Sequence, residues 1–222
     1  ASERLATVGK LAAGVAHEIG NPLSGILGYL SIARSKSMGA EVDDYLARID
    51  AEVQRIDKIV RELLELGRPP RLTPGPVDVA EVVRACTGLL GAGPDFTSVQ
   101  LDVQVPPGVC ARAESGALSQ VLINLLLNAA HAVDGKGQVT VRGRRDGTEV
   151  QLEVQDSGKG LSDEAMKHLF EPFFTTKEKG RGTGLGLAIS QHLVAQMGGQ
   201  LRGANASSGG AVFTVRLPSA PD

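Results

Sequence analysis

The stretch Arg68-Pro69-Pro70-Arg71-Leu72-Thr73-Pro74-Gly75-Pro76 divides the chain into two parts with different hydrophobic patterns. Its prolines lack the amide donor that a helix needs and restrict the residues before them, so no helix continues through this stretch. We therefore predict a linker over residues 68–76. A chain of 222 residues is long enough for two modest domains, which we predict over residues 1–67 and 77–218.

Before the linker, apolar residues recur alternately three and four positions apart, which is the spacing of a helix with one apolar face. Two segments have this pattern, and the polar turn from Ser35 to Ala40 can reverse the chain between them. Two helices alone bury little surface, so we expect hairpins from two chains to form a four-helix bundle, and hence a homodimer. The apolar positions are Leu5, Val8, Ala12, Val15, Ile19, Leu23, Ile26 and Leu30, followed by Val42, Leu46, Ile49, Val53, Ile56, Val60 and Leu63.

After the linker, helical and strand patterns alternate. Helices are predicted near residues 79–90, 114–133 and 187–197, and strands near 99–105, 138–144, 149–156, 201–204 and 211–217. The Asp146-Gly147 pair is typical of a hairpin turn. The predicted fold class is therefore a helical hairpin followed by an α/β sandwich, in which a mixed sheet carries its helices on one face. The long glycine-rich segment 158–186 is predicted to be a lid or binding loop.

Composition excludes several classes of protein. The formal net charge is −2 and no block of lysine or arginine stands out, which disfavours binding to nucleic acid. Cys86 and Cys110 form no CxxC motif or Cys/His cluster, so we expect reduced thiols in a cytoplasmic protein. No apolar run approaches the ~20 residues of a membrane helix, and we expect any membrane contact to come from segments outside this chain.

A histidine on the first helix has small and polar neighbours. His17 lies in Ala16-His17-Glu18-Ile19-Gly20-Asn21-Pro22-Leu23, and the absence of a second histidine at Asn21 excludes the HExxH zinc motif. Small neighbours leave room for a bulky group to dock over the imidazole, but this local pattern supports a structural and a functional role equally. The neighbours at helical spacing are Ala13, Gly14, Gly20, Asn21 and Ser24.

Two amides share one face of an otherwise apolar helix. Asn124 and Asn128 lie one helical turn apart within Gln120–Ala129. Buried amides need hydrogen-bond partners because burying them unpaired is costly. Two roles remain open for this pair: capping a neighbouring turn, or holding Mg²⁺ and phosphate oxygens.

The closely spaced glycines form no familiar phosphate-binding motif. Gly182-Thr183-Gly184-Leu185-Gly186 fits neither GxxxxGK[ST] nor GxGxxG, which excludes a Walker A loop and a Rossmann fingerprint. Bare amides that open a helix can nevertheless receive an anion, and phosphate is the first candidate. Asp156-Ser157-Gly158 taken alone is more typical of an ordinary turn.

Taken together and in order, these segments resemble the sensor histidine kinase family, in which a phosphoacceptor hairpin is joined to a Bergerat-type ATP-binding domain. The resemblance extends from about Leu5 to Leu217, and Glu171–Lys177 is similar to the nitrogen-regulation type of kinase. Glu114 stands where the family often has aspartate, and we expect this change to affect only a helix start. The matching segments are 11–23 (phosphoacceptor box), 120–129 (N box), 156–160 (first glycine box), 170–177 (F box) and 182–187 (second glycine box).

The resemblance implies a role for each matching residue. His17 becomes the phosphoacceptor, Glu18 its acid–base neighbour, and Asn21 the group that positions water for dephosphorylation. The ATP-binding set is Asn124, Asn128 as the principal Mg²⁺ ligand, Asp156 as acceptor of the adenine amino hydrogen, Gly158, Gly160, Lys177 as a phosphate contact with Arg181, Gly182, Thr183, Gly184, Leu185 and Gly186. Phe170, Phe173 and Phe174 either anchor the lid or pack in a core.

The implied activity uses ATP and Mg²⁺ to phosphorylate His17 and passes the phosphoryl group to an aspartate of a response regulator. Phosphatase activity toward that regulator is a second candidate activity. Two alternatives remain: an ATPase of the gyrase, chaperone or mismatch-repair type, and a non-catalytic scaffold that dimerises and binds ADP or a regulator. His17 and its small neighbours disfavour the first, and the complete set of boxes disfavours the second.

Overall fold

The structure, a computed structural model, describes residues 15, 19–33, 40–67, 72–91, 93–134, 136–177 and 182–221. The chain separates into two compact units, one of Ala1–Arg68 with Pro172–Leu185 and the other of Pro69–Glu171 with Gly186–Asp222. Segment Pro172–Leu185 therefore groups with the helices of the first unit, although its sequence lies inside the predicted domain 77–218. None of the described helices is long and apolar enough to span a membrane.

The helical part of the first unit is an antiparallel pair. The first helix, α1, covers residues 19–33, and α2 covers Ala40–Gly67. A Cβ atom added to Gly25 of α1 would lie 3.8 Å from Cγ of Glu52, and the Tyr29 and Tyr45 ring centroids are 6.2 Å apart. Residue numbers thus rise along one helix as they fall along its neighbour, which confirms the predicted hairpin. The turn 34–39 and apolar positions Leu5, Val8 and Ala12 lie outside the described residues.

The apolar positions of α2 divide into two stripes. Ile59 is fully buried, and Ile49 and Ile56 are half-buried. Leu46 and Val53, one heptad apart, remain 51% and 50% exposed, and Val60 continues their stripe at 39%. The first unit by itself therefore covers only part of the apolar surface that the sequence pattern creates.

The second unit contains two sheets. In the larger sheet the strand order is β2-β4-β5-β7-β6, where β2 pairs in parallel with β4 and the other pairs are antiparallel. This is the predicted mixed sheet. The strands are β1 (Gly75–Asp78), β2 (Val99–Gln104), β3 (Cys110–Ala113), β4 (Gly137–Asp146), β5 (Glu149–Asp156), β6 (Gln200–Asn205) and β7 (Ala211–Pro218), and the helices are α3 (Val79–Gly91), α4 (Ser115–Ala132), α5 (Asp163–His168) and α6 (Gly186–Gln196), with a 3₁₀ turn at Pro94–Phe96.

Alternation along the strands places the core on one face of the larger sheet. Val139 and Val141 of β4 are buried, whereas Arg142 and Arg144 are exposed on the opposite face. Helix α4 covers the buried face with a continuous apolar stripe, and it also packs against α6. The buried α4 residues are Ala117, Leu118, Val121, Leu122, Leu125, Leu126, Ala129 and Ala130.

Glu114 caps the N-terminus of α4. Its carboxylate accepts hydrogen bonds from the backbone amides of Gly116 at 3.1 Å and Ala117 at 2.6 Å, two donors that the helix itself cannot satisfy. The structure thus places Glu114 at a helix start, as expected, and the expectation that it leaves the chemistry unchanged stays a prediction.

The small sheet of β1 and β3 is absent from the sequence prediction. Strand β1 begins at Gly75, so the last two residues of the predicted linker 68–76 pair with β3, with Gly75 opposite Ala113 and Pro76 opposite Arg112. Prolines argue against central strands but are tolerated in edge strands, where one side of the backbone needs no partner. The proline-rich composition therefore concealed this strand.

Asp78 joins β1 to the turn before β3. Its Oδ1 accepts a hydrogen bond from the Ala80 amide at 2.8 Å, and its Oδ2 accepts one from the Gly108 amide at 3.0 Å. These bonds lower the pKa of the Asp78 carboxyl below its ordinary 3.8, and the bond from Gly108 has the largest effect. Because the folded state binds this proton less tightly than the unfolded state, the carboxylate stabilises the fold above pH 3.8, and that contribution is lost as the pH falls further.

We predict that Asp78→Asn lowers the melting temperature at pH 7. The carboxylate accepts one backbone hydrogen bond with each of its two oxygens, whereas the asparagine amide has only one oxygen. The difference from the wild type should shrink as the pH is lowered below 3.8, where the wild-type carboxyl also becomes protonated. Thermal melts across pH measure this, and exposed Asp146→Asn is the control. A difference that stays constant from neutral to acid pH contradicts the prediction.

Candidate functional site

The last residue of β5 carries a buried carboxylate. Asp156 is 3% exposed, and its Oδ1 accepts hydrogen bonds from the amides of Gly158 at 2.8 Å and Ala211 at 3.2 Å. These are its side-chain hydrogen bonds within the described residues, so Oδ2 remains an acceptor for an incoming donor. Gly210 has a φ of +79°, and a Cβ there would collide with the Asp156 carbonyl oxygen. The turn before β7 is thus fitted to the end of β5.

The first glycine turn is held from two sides. A Cβ at Gly158 would run into the carbonyl of Ala132 at the end of α4, and one at Gly160, whose φ is +75°, would lie 2.7 Å from Oδ1 of Asn205. Asn205 binds both backbone groups of Leu161: its Oδ1 accepts from the amide at 2.6 Å, and its Nδ2 donates to the carbonyl at 2.9 Å. The predicted glycines therefore permit close approach, and Asn205 fixes the turn after them.

Of the two α4 amides, Asn124 has a defined partner on α6. Its Nδ2 donates a 2.8 Å hydrogen bond to Oγ of Ser190, which is 1% exposed. A Cβ added to Gly186, the first residue of α6, would lie 3.0 Å from Asn124 Cγ. Asn128 is half-buried one turn further along α4. Asn124 therefore ties two helices together, a structural role that differs from the turn cap considered in the sequence analysis.

The glycine-rich segment of the first unit has its own internal order. The Phe173 amide donates to the Gly184 carbonyl at 3.0 Å, and both residues have a φ of +67°. A Cβ at Gly184 would lie 2.7 Å from Phe173 Cα, so only glycine fits there. Thr183 donates its hydroxyl to the Glu62 carboxylate of α2 at 2.7 Å. A Cβ at Gly182 would lie 3.2 Å from Lys177 Cδ, which places these two ends of the segment side by side.

The phenylalanines of this region are not core residues. Phe170, Phe173 and Phe174 are all half-buried, whereas Phe96 and Phe213 are 5% and 6% exposed. Of the two roles left open for the first three, anchoring a surface segment is the one that their partial exposure favours.

Three predicted site residues, His17, Glu18 and Arg181, lie outside the described residues. Asn21 is exposed on α1. A histidine outside the predicted set, His131 at the end of α4, has its Nε2 3.5 Å from Oδ1 of Asp95.

Two family models match the chain. Residues 7–71 match the His Kinase A (phospho-acceptor) domain, and residues 113–221 match the histidine kinase-, DNA gyrase B- and HSP90-like ATPase domain. The two matches lie in the order expected from the sequence, and together they cover most of the chain. The chain belongs to the histidine kinase family. It carries the catalytic core of such a kinase, and the Asp156 turn, both α4 amides and the α6 start fall within the ATPase match.

Relatives and solved structures agree with this assignment. The sensor histidine kinase ZraS of Klebsiella oxytoca is 41% identical over 219 residues, which make up 97% of this chain and 47% of ZraS. The histidine kinase ThkA, solved in complex with the response regulator TrrA, has 26% identity and a TM-score of 0.82 over 99% of this chain and 64% of that one. Full-length ShkA in complex with AMPPNP has 28% identity and a TM-score of 0.68 over 96% of this chain and 46% of ShkA. The chain spans about half the length of the curated relatives it matches.

The donor atoms of this site suit ATP and Mg²⁺. Asp156 Oδ2 is an acceptor of the kind that the adenine amino group requires, and amide oxygens such as that of Asn128 are hard ligands that suit Mg²⁺. The described residues contain no group of three or more His, Cys, Asp or Glu that could hold a metal by themselves.

Asn205 and Ser190 are absent from the sequence prediction. Each is one polar residue in a strand or helix, and neither forms a motif with its sequence neighbours. The only available signal is that Ser190 interrupts the apolar run of α6, which reads Leu187-Ala188-Ile189-Ser190.

Proposed function

We propose that this chain is the core of a kinase that transfers the γ-phosphoryl group of ATP to His17 and then to an aspartate of a response regulator. The observation that carries the proposal is the Asp156 carboxylate, whose Oδ1 is occupied by two backbone amides while Oδ2 remains an acceptor. Membership of the histidine kinase family supports the phosphoacceptor role of His17. We also propose a cytoplasmic location, which the proposed use of ATP and of a response regulator supports.

Each residue has a stated part in nucleotide binding. Asp156 Oδ2 accepts the adenine amino hydrogen, and Asn128 supplies an amide oxygen ligand for Mg²⁺, which neutralises charge on the phosphates when it is bound. Lys177 and Arg181 contact phosphate oxygens as cations. Gly182, Thr183, Gly184, Leu185 and Gly186 complete the ATP-binding set.

The phosphoryl acceptor must be a neutral imidazole. His17 attacks with a ring nitrogen that carries no proton, and the Glu18 carboxylate accepts a hydrogen bond from the other ring nitrogen, which favours that tautomer. Asn21 has an amide that can orient a water molecule but cannot take up a proton. We propose that Asn21 positions this water in a phosphatase reaction that removes the phosphoryl group from the regulator.

The relatives narrow the alternatives. The ThkA structure contains a response regulator, and the ShkA structure contains AMPPNP, so each supports one part of the proposal. A gyrase- or chaperone-type ATPase has no use for a phosphoacceptor domain, which residues 7–71 match. The narrower resemblance to nitrogen-regulation-type kinases stays a prediction. An experiment is needed to distinguish the kinase from a non-catalytic scaffold.

We predict that incubation with γ-labelled ATP and Mg²⁺ places on the chain a label that is labile in acid and stable in base. His17→Gln and Asn128→Ala should each abolish it, because one removes the acceptor and the other a metal ligand. Gln120→Ala, an exposed change on the same helix as Asn128, is the matched control and should label normally. An unlabelled wild type would favour the scaffold, and full labelling of Asn128→Ala would remove the metal assignment.

We further propose that the hairpin pairs with a second copy of itself to form a four-helix bundle. The exposed stripe of Leu46, Val53 and Val60 repeats every seven residues, as in helices that pack along a seam. On α1, Leu23 and Leu27 are also 46% and 67% exposed. Ile49 and Ile56 belong to the same predicted apolar pattern but are half-buried, so the more exposed stripe of Leu46, Val53 and Val60 is the better place to test the dimer.

We predict that replacing both Leu46 and Val53 with lysine gives a folded monomer, because it adds charges to the exposed stripe without touching the more buried one. Ala51→Lys is the control, since Ala51 is exposed and lies two residues from Val53, on the opposite side of the helix. Light scattering gives the mass and circular dichroism the helix content. A double variant that remains a helical dimer would show that the interface lies elsewhere.

A further inference from the structure

Ser190 is a buried polar residue in the second turn of α6. Its side chain is 1% exposed, and its hydroxyl oxygen accepts the 2.8 Å hydrogen bond from Asn124 Nδ2. A buried hydroxyl is costly unless it has a partner, so this contact is part of how α4 and α6 pack. The family resemblance assigns no role to Ser190.

The Asn124 amide is enclosed by two successive turns of α6. Ser190 contacts its nitrogen, and Gly186, one turn earlier, faces its oxygen, since Oδ1 is the atom that a Cβ at Gly186 would meet first. The two ends of an amide differ, because Nδ2 only donates and Oδ1 only accepts. By accepting from Nδ2, Ser190 directs Oδ1 toward the first turn of α6.

We infer that Ser190 is a positioning residue for phosphate and metal binding, acting through Asn124. Asn128, the proposed Mg²⁺ ligand, lies one turn from Asn124 on α4, and Gly186 is where the second glycine box enters α6. The hydrogen bond between Asn124 and Ser190 therefore fixes the distance between Asn128 and the second glycine box, the two groups that act on the phosphates in the proposed function. The adenine end of the site, at Asp156, makes no hydrogen bond with either residue in the described part of the chain.

This inference rests on the proposed function, and it separates two parts of one ligand. Loss of the Ser190 hydroxyl leaves the Asn124 nitrogen without its partner, so the amide can turn and the two helices can shift. Phosphate binding should weaken as a result. Adenine binding should not change, because the Asp156 carboxylate keeps its two backbone amides.

The test measures binding of Mg²⁺-AMPPNP and of adenosine, which has no phosphates, to the whole chain and to Ser190→Ala. We expect AMPPNP to bind about 5- to 10-fold more weakly to the variant, the scale of one lost buried hydrogen bond, and adenosine to bind as before. The Mg²⁺ concentration that half-saturates AMPPNP binding should also rise. Val194→Ala is the matched control, because Val194 is fully buried one turn further along α6 and should lower the melting temperature without changing the ratio of the two affinities.

Each outcome decides a different point. Equal loss of AMPPNP and adenosine binding in Ser190→Ala, as for a generally loosened domain, overturns the positioning role, and so does unchanged AMPPNP binding. A wild type that binds neither ligand overturns the proposed function itself. If Ser190→Ala does not fold, Ser190→Cys keeps the size of the side chain with a weaker acceptor. It should bind AMPPNP more weakly than the wild type, and equal binding overturns the inference.

Discussion

The carboxylate of Asp156 is buried at the end of β5 and accepts hydrogen bonds from the amides of Gly158 and Ala211. A buried carboxylate is tolerated only where hydrogen bonds replace its water, and here both bonds reach the same oxygen. One bond closes the turn that follows β5, and the other fixes the start of β7. The backbone must approach Asp156 closely to make these bonds. Glycine is therefore required at position 210, where φ is positive and a Cβ would collide with the Asp156 carbonyl oxygen.

Helix α4 links the Asp156 turn to the start of α6. Its last turn meets Gly158, where a Cβ would collide with the Ala132 carbonyl, and its middle meets Gly186 through Asn124. One glycine of each box, Gly158 of the first and Gly186 of the second, is therefore required by a contact with the same helix. Because the buried face of α4 is apolar and packs on the sheet, its polar positions Asn124 and Asn128 are held by the core rather than by a loop.

Much of this architecture follows from the sequence because it depends on periodicity and on residues with strong local preferences. The hairpin helices, the larger sheet and α4 with its Glu114 cap are examples.

The parts that the sequence does not predict depend on contacts between distant residues or on very short elements. Strand β1 was missed because its pairing with β3 offsets the poor strand propensity of a proline-rich segment. Helix α5 has only six residues, fewer than an amphipathic pattern needs to be recognised. Ser190 and Asn205 were missed because their partners, Asn124 and Leu161, are distant in sequence. The chemical roles of His17 and Glu18 stay predictions, since both lie outside the described residues.

The central claim is that Asp156 uses one oxygen to hold the fold and the other to recognise adenine, and Asp156→Asn separates these two tasks. An asparagine can keep an oxygen toward the Gly158 and Ala211 amides, so the domain should fold with a melting temperature close to that of the wild type. Its other atom becomes a donor that faces the adenine amino group, which also donates. Equilibrium binding of ATP and GTP to both proteins is the direct measurement. The account predicts that ATP binds at least about tenfold more weakly to the variant and that the preference for ATP over GTP is lost. A folded variant with unchanged ATP and GTP affinities would contradict it.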